Sequence, residues 1–241
     1  MRRLVAQAGA EIGMTLRRGE SLLLTIGIPA VLLVFLAKVH VFHTTAAQPI
    51  DSLAPGVLSL AIMGTAMANL SLSTGFERGY GVLKRLRTTP LGRPALLGAK
   101  IVAVLVVELL QILVLVPVSL ALGWHAQASC LGADVGVILL ATTAFGGIGL
   151  FLAGVVRAEV NLATANGLWF VFLLLGGSVV PLSDLHGWLH AVATLLPAAA
   201  LSEALYHSLG LGSAIPLWAW LNLAIWAVAA PAAAALTFRW E

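Results

Sequence analysis

The sequence predicts an all-α polytopic membrane protein with six transmembrane helices. Hydrophobic residues fill 60% of the 241 positions and charged residues only 10%, and mean hydropathy is +1.02, far from the composition of water-soluble domains. Several apolar runs reach the roughly 20 residues that a helix needs to cross a hydrocarbon core about 30 Å thick. The basic residues gather on one side of those runs. A β-barrel is excluded, since its strands would be alternating segments of about 10 residues.

The first element precedes the first apolar run. Val5, Ala8, Ile12 and Leu16 recur at helical spacing between Arg2-Arg3 and Arg17-Arg18, which predicts an amphipathic helix on the membrane surface with its arginines near lipid phosphate. A cleaved signal peptide is not expected, because the n-region over 1–20 would be too long.

Hydrophobic length places the spans at about 21–41, 55–76, 96–122, 133–155, 162–181 and 213–237. An even number puts both termini on one side. Arg2, Arg3, Arg17 and Arg18 precede the first span, and Arg78, Lys84, Arg85, Arg87 and Arg93 lie between the second and third. Lys100 stands at the foot of the third, Arg157 between the fourth and fifth, and Arg239 after the sixth. Twelve of thirteen Lys and Arg thus share a side with the termini, which predicts that side to be cytoplasmic. Lys38 is near the opposite interface, where its stem can snorkel.

Between the second and third spans, Gly79 and Gly81 loosen the chain and Pro90 and Pro94 stop helices. Val82, Leu83 and Leu86 interleave with Lys84, Arg85 and Arg87, predicting a short basic helix held between two spans. By charge alone it is a topology anchor. In the third span Glu108 and Gln111 share a face. An ionisable group at a helix centre costs about 2.5–3.5 kcal/mol on insertion scales, so Glu108 is either a protonated structural partner or part of a substrate path. Asn69, Asn166 and Asn222 read as interhelical hydrogen-bond partners. In the fourth span Gly146, Gly147 and Gly149 read as close helix packing, because the lysine of a phosphate loop is missing.

The outer segment 182–212 is too short in its pieces to span and too apolar to float in water. Ser183 is a plausible N-cap, Leu185, Trp188, Leu189, Val192 and Leu196 form a stripe, and Pro197 opens a second helix ending before Gly210. Such pieces dip into the outer leaflet or cap the bundle. His40, His43, His125, His186, His190 and His207 all fall on the outer side at scattered spacings, so no metal site is expected. Trp124, Trp188, Trp218 and Trp220 sit at predicted outer edges and Trp240 at the inner one, as interfacial rings do. Cys130 is the single cysteine and reads as a small apolar residue.

No zinc-hydrolase, nucleophile-turn or phosphate-loop pattern is present. No catalytic residue is expected, and any ATP hydrolysis belongs to another polypeptide. A proton-coupled secondary transporter using Glu108 is the alternative, although it would call for a second buried carboxylate and an internal repeat.

Two stretches carry a family resemblance. One is Phe76-Glu77-Arg78 followed by Gly81 to Leu91 (GVLKRLRTTPL), and the other is Gly176 to Ser183 (GGSVVPLS) followed by Trp188-Leu189 and Leu195 to Pro197. In this order within a six-span chain they resemble the ABC-2 family of ABC-transporter permeases, in particular its actinobacterial daunorubicin-resistance and multidrug-export branch. The resemblance implies a type V exporter-like fold: a single transmembrane domain over 1–241 with a connecting helix (1–20), a cytoplasmic coupling loop (77–95) and an outer re-entrant segment (182–212). It implies a second permease, as homodimer or paralogous heterodimer, and two cytoplasmic ABC ATPase subunits that bind ATP and Mg. It implies no cofactor in this chain and no nucleic acid, in a bacterial cytoplasmic membrane.

Carried onto this sequence, Glu77, Arg78, Leu83, Lys84, Arg85, Leu86 and Arg87 would couple to the ATPase, with Leu83 and Leu86 supplying apolar contact. The amphipathic helix would be either a simple anchor or a second ATPase contact. By family analogy spans 1, 2 and 5 would line a path for an exported hydrophobic or amphipathic molecule, a drug, antibiotic or lipid. Phe35, Met63, Met67, Phe172 and Glu108 are its candidate residues, although the apolar four would suit lipid contact equally well.

Overall fold

The computed structural model describes residues 2–17, 19–39, 49–83, 92–126, 131–178, 182 and 185–237. Lys84, Arg85, Leu86, Arg87, Ser183, His40, His43, Cys130, Arg239 and Trp240 lie outside the described residues.

Helix α1 (Arg2–Arg17) forms where the amphipathic pattern predicts it, but the stripe is shifted. Ala8 and Glu11 are its buried positions among the side chains described, and Leu16 is exposed. The helix turns a carboxylate toward the body, packing against the start of the third span.

Helix α2 (Gly19–Val39) is apolar on all sides, and only 6% of its most apolar window is buried. The second span is the opposite. Helices α3 (Pro49–Met63) and α4 (Leu70–Gly79) join through a π-helical segment, Gly64–Asn69, into one apolar helix over Ile50–Gly79. Its window is 83% buried. It starts and ends beyond the predicted 55–76, so Glu77 and Arg78 belong to the last turn of the span instead of a loop. The wider π turn sinks Ala66 and Met67 fully into the core.

Helix α5 (Arg93–Ala121) begins after Gly92 with Pro94 in its first turn, where the missing N–H costs no intrahelical bond. Helix α6 (Leu131–Val155) and α10 (Leu217–Thr237) run parallel, Gly136 lying against the Trp220 ring and Gly147 against Pro231. A Cβ at Gly147 would come 2.5 Å from Pro231, and one at Gly149 2.6 Å from the Met67 carbonyl oxygen. The glycine-dense stretch is thus where α6 meets α10 on one side and the π turn on the other.

Helix α7 (Ala158–Leu175) is shorter than the predicted 162–181. It stops where Gly176 meets Gly177, whose φ of +75° is left-handed and favours glycine. Its 18 residues rise about 27 Å, a little less than a hydrocarbon core.

The outer pair consists of α8 (Trp188–Leu195) and α9 (Pro197–Leu205), the latter continued by a π turn at Tyr206–Gly210. The two are bent by 82°. Pro197 lacks the N–H that would continue α8, and α10 takes up the last carbonyls of that helix: Asn222 Nδ2 donates to Thr194 O at 2.9 Å and Trp226 Nε1 to Leu195 O at 3.0 Å. Gly187, with φ of +64°, stands at the N-cap of α8.

Five helices among the described residues are long and apolar enough to cross a membrane, and the bent pair is a sixth candidate by length and composition. The architecture is that of an all-α multi-pass membrane protein. Trp124 departs from the interfacial expectation and is buried in the core, whereas Trp188 is exposed.

Candidate functional site

Lys100 is the centre of the site. Its ammonium donates to Glu77 Oε2 at 2.6 Å and to Glu11 Oε2 at 3.2 Å, with the lysine side chain only 2% exposed. A buried ammonium carries a desolvation penalty of several kcal/mol unless paired and hydrogen-bonded, and two carboxylates supply the pairing. Gln7 Nε2 donates to the other oxygen of Glu11 at 2.9 Å. Three elements distant in sequence are joined: α1, the last turn of α4 and the first turns of α5. In the sequence Lys100 stands only as a topology marker, and the signal of Glu11 is a single acid on the face that Ala8 buries.

Next to the triad lies a cavity of about 70 Å³ between α1, α2, the π turn with α4, and α5. At its deeper end a polar network crosses three helices. Gln111 Nε2 donates to Thr25 O at 2.9 Å, Thr65 Oγ1 donates to Gln111 Oε1 at 3.1 Å, and Asn69 Nδ2 donates to Thr25 Oγ1 at 3.0 Å. Asn69 and Asn222 are therefore interhelical partners as expected. Asn166 is exposed, and Asn161 takes the place assigned to it. Buried between α7 and α4, Asn161 accepts from Ser71 Oγ and donates to Ser71 O, both at 2.9 Å.

The predicted coupling residues divide. Glu77 is in the triad, and Arg78 donates from its guanidinium to the Val156 carbonyl between α6 and α7. Leu83, read as an apolar contact for a partner, is instead fully buried in its own chain. Among the described residues Tyr80 and Val82 are exposed apolar groups at this turn, with exposed Phe76 stacked on the Tyr80 ring.

The substrate-path candidates do not share one surface. Met63, Met67 and Phe172 are core residues, Phe172 meeting Phe145 edge-on at 5.9 Å, while Phe35 is exposed on α2. Glu108 is enclosed on α5, accepting a hydrogen bond from Thr142 Oγ1 of α6. Two of the described histidines have local partners for their side chains: His190 Nδ1 with Leu182 O, and His207 with Glu203 and Ser213. No cluster of three His, Cys, Asp or Glu that could hold a metal occurs among the described residues.

A third polar group ties the outer pair down. Ser59 of α3, Ser178 after α7 and Ser202 of α9 are mutually hydrogen-bonded at 2.6–3.3 Å. Three hydroxyls can donate and accept in turn, so the cluster can satisfy itself.

A comparison with curated protein sequences returned no match. The family profile described as ABC-2 type transporter matches residues 10–209, from within α1 to the π turn after α9. The chain belongs to the ABC-2 type transporter family, and is thus a multi-pass membrane permease component of the kind that works with ABC ATPase subunits.

Proposed function

We propose that the chain is the permease of an exporter that moves a hydrophobic or amphipathic molecule, drug-like or lipid-like, out of the cytoplasm or inner leaflet. ATP and Mg are bound and used by separate ATPase subunits, and two permeases, identical or paralogous, form the pathway. The charged end, with both termini, faces the cytoplasm of a bacterial cell. The same reading takes 1–20 as the connecting helix, 77–95 as the coupling region and 182–212 as the outer re-entrant segment of a single domain over 1–241.

One observation supports this reading above the others: Lys100 binds Glu11 and Glu77 together, and Glu77 and Lys100 flank residues 84–91 in the sequence. A push on that segment would be passed to the amphipathic helix and to the feet of two spans at once, as rigid-element coupling requires. Tyr80 and Val82 would replace Leu83 as the apolar contact. Glu77 and Arg78 would hold the coupling turn in place, leaving Lys84, Arg85, Leu86 and Arg87 to meet the ATPase. The proton-coupled alternative finds no comparable support, since Glu108 is enclosed by helix packing.

The test is reconstitution with the partner ATPase. Val82→Asp with Tyr80→Ala should weaken ATPase association at least tenfold while the permease stays folded. Full association and full transport by that variant would refute the docking assignment.

A further inference from the structure

The cavity beside the triad is amphipathic along its length. Among the described residues Glu11, Glu77 and Lys100 are its charged lining, so there two carboxylates face one ammonium and a negative charge is left over. Beyond this end, Ala103, Val104 and Val107 of α5 make an apolar wall. Its mouth lies between α1 and α2, where the lining residues Met14 and Ser21 are exposed. Ser21, Leu24, Ile28 and Val31 fall on one stripe of α2, and the last three are exposed.

Charge selects the ligand. Lys100 is already engaged by both carboxylates, so a phosphate or sulfate would meet only excess negative charge. A neutral alcohol would leave that charge without a counter-ion. An ammonium group brings the missing positive charge and up to three donors. A cavity of about 70 Å³ takes a headgroup and not a whole amphiphile, so an apolar tail must leave through the mouth.

We propose that this cleft binds the ammonium headgroup of an amphiphile, with the tail leaving between α1 and α2 along Leu24, Ile28 and Val31. As a substrate site it rests on the exporter reading, but as a binding site it needs only this chain. The same headgroup chemistry is offered by a bilayer aminophospholipid and by a free single-chain amine.

The test uses the full chain in phosphatidylcholine nanodiscs, titrated calorimetrically with dodecylammonium, dodecanol and dodecyl sulfate. Dodecylammonium should bind saturably and at least tenfold more tightly than either other probe. Glu11→Gln, which removes the excess charge, should weaken it at least tenfold. Ala103→Leu, which fills the cavity and leaves the ion pairs in place, should do the same. Equal binding of dodecanol, or wild-type affinity in Ala103→Leu, overturns the site. Adding phosphatidylethanolamine to the nanodiscs decides the source: a raised apparent Kd assigns the site to a resident lipid, an unchanged one to a free amine, and both presuppose the site. A chain that binds the amine yet transports nothing with its ATPase keeps the site and loses the exporter reading. A chain that transports but does not bind the amine loses the site alone.

Discussion

The carboxamide of Asn161 occupies the space that a side chain at Gly75 would need, since a Cβ there would lie 2.6 Å from Asn161 Nδ2. The two hydrogen bonds with Ser71 hold the amide in that place. Gly75→Ala should therefore lower the melting temperature, and Asn161→Ala should lower it by the loss of buried bonds worth about 1–3 kcal/mol. Combined, the two changes should cost less than their sum, because the second removes the clash of the first. A strictly additive double variant in thermal unfolding would contradict this contact.

Lys100→Met leaves Glu11 and Glu77 facing each other without a cation. Removing one partner of a buried pair typically costs about 3–5 kcal/mol. Part of that loss should appear as release of α1, seen as faster proteolysis within residues 2–17. Exchanging the charges as Lys100→Glu with Glu77→Lys should restore protection; protection no better than in Lys100→Glu alone would argue that the ion pair does not hold the helix.

The Ser59, Ser178 and Ser202 cluster predicts a reversal of the usual order of damage. Ser202→Ala alone leaves two hydroxyls short of a partner and should cost about 1 kcal/mol or more. Replacing all three by Ala removes the buried polar groups together and should be less harmful than the single change. Thermal stability that falls steadily from one to three substitutions would count against a self-satisfied cluster.

Helix α6 tolerates no side chain at two glycines. Gly147→Leu meets Pro231, and Gly149→Val meets the Met67 carbonyl, so each should abolish the monodisperse protein on gel filtration. Overpacking commonly costs about 1–3 kcal/mol, and here the opposing atoms are backbone or ring atoms that cannot swing away. Gly167→Ala, with nothing within 4 Å of the added carbon, is the control and should be silent.

Glu108→Gln keeps an oxygen that can accept from Thr142 and removes a proton site. ATP-driven transport should persist at every external pH. Transport that becomes pH-independent only in the variant would restore a proton-coupled role.

Much of the membrane layout is legible because bilayer thickness acts on length and hydropathy alone. The first, third, fourth and sixth spans emerge within a few residues of their predicted ends, and Pro197 opens α9 as its missing N–H dictates. The second and fifth spans show the limit. Hydropathy fades at Phe76 while the helix runs on to Gly79, and apolar residues continue past Leu175 while glycines end the helix.

Hydropathy also cannot rank burial. The windows of α2 and of the span Ile50–Gly79 both pass as membrane helices, yet almost none of the first is buried and most of the second is. Asn161 and Asn166 are equivalent as letters, and only the approach of Gly75 in α4 makes Asn161 the buried partner. The apolar segments, the charged end and the family motifs can be read without coordinates, since they depend on local composition. Tertiary structure decided that Lys100 meets Glu11 and Glu77 and that Leu83 turns inward. Such choices are made between residues far apart in the chain, where the desolvation of a charge or a side chain is resolved only by what packs against it.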